Sequence, residues 1–320
     1  GHGFDGIIGN LGARSGDVLT VRRATVIPKS GSVIFNDEVQ VIVGPETVVK
    51  KRDQAGTQVN IGDLSVGQRV HIAGQITSDL DLPGLIMDAT TGRVRMTMTR
   101  LDGTVNDTLP GLLSMNLQRI DRRPVRIFDF SGTGLNSNVD TDPINYEVAT
   151  DTLPQQATLI PGSVVKASGF VRPFGTAPYD FEARSIVSLT AGRAKLGISW
   201  GMEGTMAPFL SMGTDDGLVP DLDNPDLGKR HHVKLGGVVL DLLNFSASPS
   251  IIPTTRDRRR FAIKRGDRTR VFRNFETFTE SVANLLGGTT VVKGMYAEGI
   301  YKQAENILTA SIVNIYLQAP

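Results

Sequence analysis

The sequence predicts an all-β protein of three tandem small antiparallel barrels, with one short helix in the third, and three observations carry that expectation. One segment is written three times: Leu64-Ser65-Val66-Gly67-Gln68-Arg69-Val70-His71-Ile72-Ala73-Gly74, then Leu159-Ile160-Pro161-Gly162-Ser163-Val164-Val165-Lys166-Ala167-Ser168-Gly169, then the shorter Leu285-Leu286-Gly287-Gly288-Thr289-Thr290-Val291-Val292-Lys293-Gly294. Each copy joins a glycine suited to positive φ to an alternating strand that ends on a second glycine. A closing strand follows each copy: Ala89-Thr90-Thr91-Gly92-Arg93-Val94, Ala183-Arg184-Ser185-Ile186-Val187 and Ala310-Ser311-Ile312-Val313. Composition agrees, since 35 glycines and 16 prolines against 6% aromatic residues favour short strands and turns over long helices. The repeat divides the 320 residues into an arm at 1–16 and units at 17–98, 99–192 and 193–320.

Taken in order, the arm is Gly-rich and carries Phe4, Ile7 and Ile8. Glycine at a chain terminus reads as flexibility, to be ordered by its own domain or by pairing with the sheet edge of a neighbouring copy. From Asp17 the alternation begins, with Val18-Leu19-Thr20-Val21, Val33-Ile34-Phe35 and Val39-Gln40-Val41-Ile42-Val43. Gly44-Pro45, the polar loop at Lys50-Lys51-Arg52-Asp53 and Pro83-Gly84 supply the turns. Unit junctions also repeat: Arg93-Val94-Arg95-Met96 leads to Asp102-Gly103-Thr104, as Arg193-Ala194-Lys195-Leu196 leads to Glu203-Gly204-Thr205.

The third unit departs from the other two through an insertion at about 206–236. Thr277-Phe278-Thr279-Glu280 has capping-box spacing ahead of Val282, Leu285 and Leu286, with Gly287-Gly288 to end a helix of two to three turns. A five-stranded barrel with a helix between its third and fourth strands is the layout of the oligonucleotide/oligosaccharide-binding (OB) fold.

The middle unit carries the most distinctive text: Leu117-Gln118-Arg119-Ile120-Asp121, Phe128-Asp129-Phe130, Gly169-Phe170-Val171-Arg172-Pro173-Phe174-Gly175 and Asp180-Phe181-Glu182-Ala183. With the Leu-x-x-Gly and Ala-x-x-Val elements, it resembles the small repeated β-barrel domains of uncharacterised exported bacterial proteins and lipoproteins. The resemblance implies an exported or cell-surface β protein, transfers no catalytic residues, and has no counterpart for the insertion.

Formal net charge is +1, so no global polyelectrolyte partner is implied. Absence of cysteine removes disulfides, thiolate metal sites and cysteine nucleophiles. No apolar run approaches the ~20 residues of a membrane span. The chain opens Gly1-His2-Gly3 without a methionine, which reads either as an engineered start or, the reading preferred, as the mature end of an exported product, so a site outside the cell or on its surface is expected.

Imidazole chemistry has few players: His2, His71, His231 and His232. His71, between Val70 and Ile72, is expected to face solvent, and its absence from the other two copies argues against an active-site loop. His231 and His232 should point to opposite faces of a strand, against a shared metal. Gly132-Thr133-Gly134 lacks the third glycine and the following helix of a phosphate cradle. Asn136, Asn138, Asp140 and Asp142 recur at every second residue, a spacing that would aim several oxygens at calcium. Asp221, Asp223, Asn224 and Asp226, with Asp215-Asp216 nearby, form a similar set, and for both the competing reading is Asx-turn chemistry.

The sharpest charge feature is Arg256, Arg258, Arg259, Arg260, Lys264, Arg265, Arg268, Arg270 and Arg273, interleaved with Phe261, Phe272 and Phe275. It reads as a hairpin with solvated arginines and core phenylalanines, as a patch that meets the acidic loop of a neighbouring copy, or as a surface for nucleic acid or anionic glycan. The function expected is a non-enzymatic exported structural or adhesive subunit that self-assembles, as in an extracellular filament. Its contacts would be the arm with Phe4, Ile7 and Ile8, and Arg258, Arg259 and Arg260 facing Asp221, Asp223 and Asp226. The alternative is an OB-type ligand-binding protein for glycan or single-stranded nucleic acid. Beyond calcium, no cofactor is expected.

Overall fold

The computed structural model describes residues 3–29, 31–52, 54, 56–151, 153–154, 158–213 and 216–319. The described residues are mostly β-strand with one α-helix, and the chain divides into two compact units, residues 1–188 and 189–320. Among the described residues, no helix is long and apolar enough to cross a membrane.

The first unit opens with β1 (Asp5–Ser15), β2 (Val18–Ile27), β3 (Ile34–Ile42), β4 (Val48–Lys51), β5 (Arg69–Ile76) and β6 (Leu85–Met96). Pairing runs β1–β2–β3–β6–β5 and back to β1, a small closed barrel in which only the β3–β6 pairing is parallel. β4 adds a second parallel pairing to β6. Alternation turns Ile7, Leu11, Val21, Ile72 and Met87 inward and leaves His71, Arg93 and Arg95 exposed.

Of the two ways expected to order the Gly-rich arm, its own domain is the one seen here, because residues 5–15 are β1, held between β2 and β5. Its glycines serve close approach: a Cβ on Gly9 would lie 2.6 Å from Val21 Cγ1, and one on Gly12 would lie 2.1 Å from Arg22 Cγ. Register shifts at Ile8/Asn10 and Leu11/Ala13 bend β1 around the narrow barrel. Glycine density here marks curvature in a tightly wound strand.

A second sheet follows: β7 (Thr99–Leu109), β8 (Leu112–Ile120), β9 (Arg123–Pro124), β10 (Tyr146–Ala149), β11 (Val164–Val171) and β12 (Phe181–Leu189). Its pairings run β7–β8–β10–β12–β11 and back to β7, with β10 and β12 parallel. The two sheets exchange side chains. Phe170 of β11 packs in the core of the first barrel, and Val66 packs in the core of the second sheet. Buried Gln68 binds across them, its Oε1 accepting the Val171 N–H at 3.0 Å and its Nε2 donating to Thr97 O at 2.7 Å.

The second compact unit contains β13 (Ala191–Trp200), β14 (Phe209–Gly213), β15 (Gly217–Pro220), β16 (Leu227–Leu235), β17 (Val238–Asp241), β18 (Ser250–Pro253), β19 (Arg260–Arg265), β20 (Arg268–Phe272), α1 (Phe275–Leu286), β21 (Val292–Lys302) and β22 (Ile307–Leu317). A closed barrel is not what forms. Pairing among the described residues gives a ten-stranded sheet in the order β14-β15-β18-β22-β21-β13-β16-β17, with β19 also on β22 and β20 on β19. The third-strand position is split: Asp241 caps a 3₁₀ turn through the Leu243 N–H, and Pro249, without an N–H, precedes β18. The expected insertion is corrected too, since most of its last third is β16, a central strand paired with β13.

α1 starts two residues before the predicted cap. Asn274 is its N-cap and accepts the Thr277 N–H at 2.9 Å. Its buried face, Phe275, Phe278, Thr279 and Val282, meets Phe261 of β19, with ring centroids 5.1 Å from Phe275 and 5.7 Å from Phe278. The third copy of the motif is therefore different in kind. Gly67 and Gly162 take φ of 99° and 84°, whereas Gly287 is right-handed at φ −67° and caps a helix.

Candidate functional site

A cleft of about 830 Å³ lies in the second unit, on the outer face of the ten-stranded sheet. Arg193 and Lys195 occupy alternate outward positions of β13, between inward Ala194 and Leu196. Register puts Lys234 of β16 opposite Lys195 on one side and Glu298 of β21 opposite it on the other. Arg256, just past β18, brings a fourth cation, and Thr254, Thr309 and Ser311 bring hydroxyls. Gly299 sits at a register shift, where a Cβ would lie 2.0 Å from Thr309 O, so this part of the wall must be bare backbone.

Four cations thus share the cleft with one carboxylate. Glu298 Oε1 lies 3.6 Å from Lys195 Nζ and also accepts the Tyr296 hydroxyl. Desolvation, then that hydrogen bond and the charge of Glu298, push the Tyr296 hydroxyl up to about 12. Like charges directly opposite on neighbouring strands oppose folding, and the Lys195–Lys234 pair is such a case.

The basic segment divides between surface and core. Phe261, Phe272 and Phe275 are buried, while Arg256, Arg258, Arg260, Arg268, Arg270 and Arg273 are exposed. The phenylalanines are therefore unavailable for stacking on bases. Arg259 is committed within the unit, donating from Nε to Arg273 O at 3.0 Å and from Nη1 to Thr254 O at 2.8 Å. Of the apolar assembly candidates, Phe4 is 46% exposed, Ile8 is half-buried, and Ile7 is core. Ile7 is thereby corrected as a contact for a second copy.

The acidic loops use their oxygens on nearby backbone. Asn136 Oδ1 accepts the Asn138 N–H at 3.0 Å, and Asp140 accepts the N–H groups of Gly134 and Gly132 at 2.9 and 3.1 Å. Asp142 accepts the Ile144 N–H at 3.0 Å. In the other loop Asp221 accepts the Asp223 N–H at 3.0 Å and Asn224 accepts the Asp226 N–H at 2.8 Å, the geometry of Asx turns. Asp215 and His2 lie outside the described residues.

His71 is exposed on β5. Partial desolvation, then Arg69, Arg95 and Arg52, hold its pKa below the usual histidine value. The other pair corrects the expectation of opposite faces. His231 and His232 stack with centroids 4.9 Å apart and planes at 25°, and His231 Nδ1 lies 2.7 Å from Asp241 Oδ1. The reason is local: a register shift between Ile198 and Trp200 interrupts the β13–β16 ladder just past His231, and such a bulge adds twist. Ligating atoms of His231, His232 and Asp241 all lie within 4.8 Å of one another.

One buried acid has no role in the readings from sequence. Asp180 accepts the Thr141 hydroxyl and the Glu147 N–H, both at 2.8 Å. Burial nevertheless lifts its carboxyl to about 6. Arg193-Ala194-Lys195 held the signal for the cleft, since cations at alternate strand positions share one face.

Compared with models of known protein families and with curated proteins, the chain matches none of either.

Proposed function

We propose that the protein is a non-catalytic binding protein whose cleft takes an acidic glycan, with sulfates or carboxylates spaced along a sugar chain. The observation that carries this is the set Arg193, Lys195, Lys234 and Arg256 around one cleft with Glu298 as its single carboxylate. Its volume falls in the range of ligand sites. Hydroxyls from Thr254, Thr309 and Ser311 suit sugar hydroxyl groups, while the burial of Phe261, Phe272 and Phe275 removes the stacking platform that single-stranded nucleic acid uses. We read the three units as variants of one OB-like design, on the strength of the shared ring order in the first two and the parallel β18–β22 pairing in the third. An extracellular setting, where such glycans coat surfaces, accompanies this reading.

The test is a fluorescence titration at low salt with a heparin oligosaccharide, an oligothymidylate of similar charge and neutral dextran. Heparin should bind best, weakening with salt, and a combined K195Q, K234Q and R256Q variant should lose about tenfold or more, about 1.4 kcal/mol. Equal binding by that variant, or preference for the oligothymidylate, overturns the assignment.

A second reading, assembly of copies, draws on one observation: Arg258, Arg260, Asp223 and Asp226 are exposed and form no ion pair among the described residues. Sedimentation that stays monomeric at both low and high salt would exclude it.

A further inference from the structure

We propose that His231, His232 and Asp241 form a binding site for a divalent transition-metal ion of the zinc class. Two imidazoles and one carboxylate are the donor set that suits zinc, cobalt(II), nickel or copper, and is poorly matched to calcium or magnesium, which prefer oxygen. The three ligating atoms already lie within 4.8 Å of one another, and His231 and Asp241 are held together, with His231 Nδ1 2.7 Å from Asp241 Oδ1. Asp241 is fixed by the Leu243 N–H, which donates to its Oδ1 at 3.0 Å. His232 Nδ1 carries the ring's lone pair, which accepts the His231 N–H at 3.3 Å; a metal would take that lone pair in place of this long hydrogen bond, the ring proton staying on Nε2. His231 has only 16% of its side chain exposed, against 38% for Asp241, so the group forms a recess at the surface.

Backbone hydrogen bonds that orient ligating side chains are the usual support of a metal site. The acidic loops have such hydrogen bonds too, but no imidazole accompanies their oxygens, so the donor set is what distinguishes the histidine group. Charge sets a limit on affinity: Lys229, Arg230 and Lys234 flank the two histidines on β16, and Asp241 is the one carboxylate in the group. Three protein ligands leave a position for water or an anion, as in exposed zinc sites. Lys234, two residues from His232, also lines the cleft, so an anion held there lies near the metal. The metal site itself does not depend on what the cleft binds.

The experiment uses the whole chain, with zinc chloride in equilibrium dialysis and cobalt(II) chloride in visible absorption. Wild type should retain one zinc per chain and give a cobalt spectrum with ligand-field bands. H232Q and D241N should each weaken binding by about tenfold or more, while H71Q, altered at an exposed histidine elsewhere, should match wild type. D241N keeps an oxygen for the Leu243 N–H, which preserves the cap. Should circular dichroism show that D241N misfolds, H232Q carries the comparison alone. Failure of wild type to retain stoichiometric zinc, or retention by H232Q equal to wild type, overturns the proposal.

Discussion

Lys195 of β13 and Lys234 of β16 are direct cross-strand partners, two like charges placed opposite each other on the outer face of one sheet. Glu298, opposite Lys195 on the other flank, offsets part of this repulsion across 3.6 Å, but the Lys195 side chain is 66% exposed and the pair is well screened. Such a pair costs folding free energy, and binding of an anion recovers it. Lys234→Thr should therefore raise stability by roughly 0.2–1 kcal/mol and lower heparin affinity together. Thermal unfolding and affinity elution on the same preparation measure both. A variant that gains neither stability nor an earlier elution would separate the lysine pair from function.

The second glycine of the repeated motif should be far less replaceable than the first. A Cβ at Gly169 would lie 2.0 Å from the Glu182 carbonyl oxygen, whereas a Cβ added at Gly162, at φ 84°, would meet nothing within 4 Å. Gly169→Ala should destabilise the first unit by about 1–3 kcal/mol or more. Gly162→Asn should cost much less, since asparagine tolerates the left-handed region. Urea unfolding of both variants gives the ranking, and equal losses would contradict it.

Asp180 should leave a mark on the pH dependence of stability. Burial raises its folded carboxyl from 3.8 to about 6, so the folded state holds the proton more tightly than the unfolded chain. Its contribution is complete below the unfolded value, falls as pH rises through about 6, and is constant above that. A shift of this size corresponds to roughly 3 kcal/mol. Asp180→Asn, which keeps an oxygen for the Glu147 N–H, should remove this decline. Subtracting the variant's unfolding profile from that of wild type isolates the effect, because Asp88 and Asp129, with lowered values, act in the opposite direction in both. A flat difference between pH 3.8 and about 6 would show that Asp180 is not the source.

What was legible in the sequence was local. Alternation in residues such as Val70, Ile72, Val165 and Ala167 marks strands wherever they pair, and Gly67 and Gly162 adopt the left-handed turns their motif implies. Asn274 displaced the capping-box reading because it caps the helix three residues upstream of the expected cap, Thr277. The place of β1 stayed open because glycine serves both slack chain and tight curvature, and only the neighbours Val21 and Arg22 distinguish them. The cleft and the histidine pair depend on register and on a bulge, which bring Lys195 to Lys234 and His231 to Asp241 across tens of residues or a twisted edge. No periodicity along a single strand records such meetings.

The exchange of Phe170 and Val66 between the two sheets of the first unit bears on how the chain can be cut. A fragment ending near Thr97 would keep Val66 as an uncovered apolar side chain and lose the ring that fills its own interior, and Gln68 would lose the Val171 N–H that its Oε1 accepts. Deletion of a buried phenylalanine alone costs about 3–5 kcal/mol, a large share of a domain's stability. The repeat boundary visible in the text is therefore not a boundary of autonomous folding. Residues 1–188 are the smallest piece of this half that expression, exchange or recombination can treat as a module.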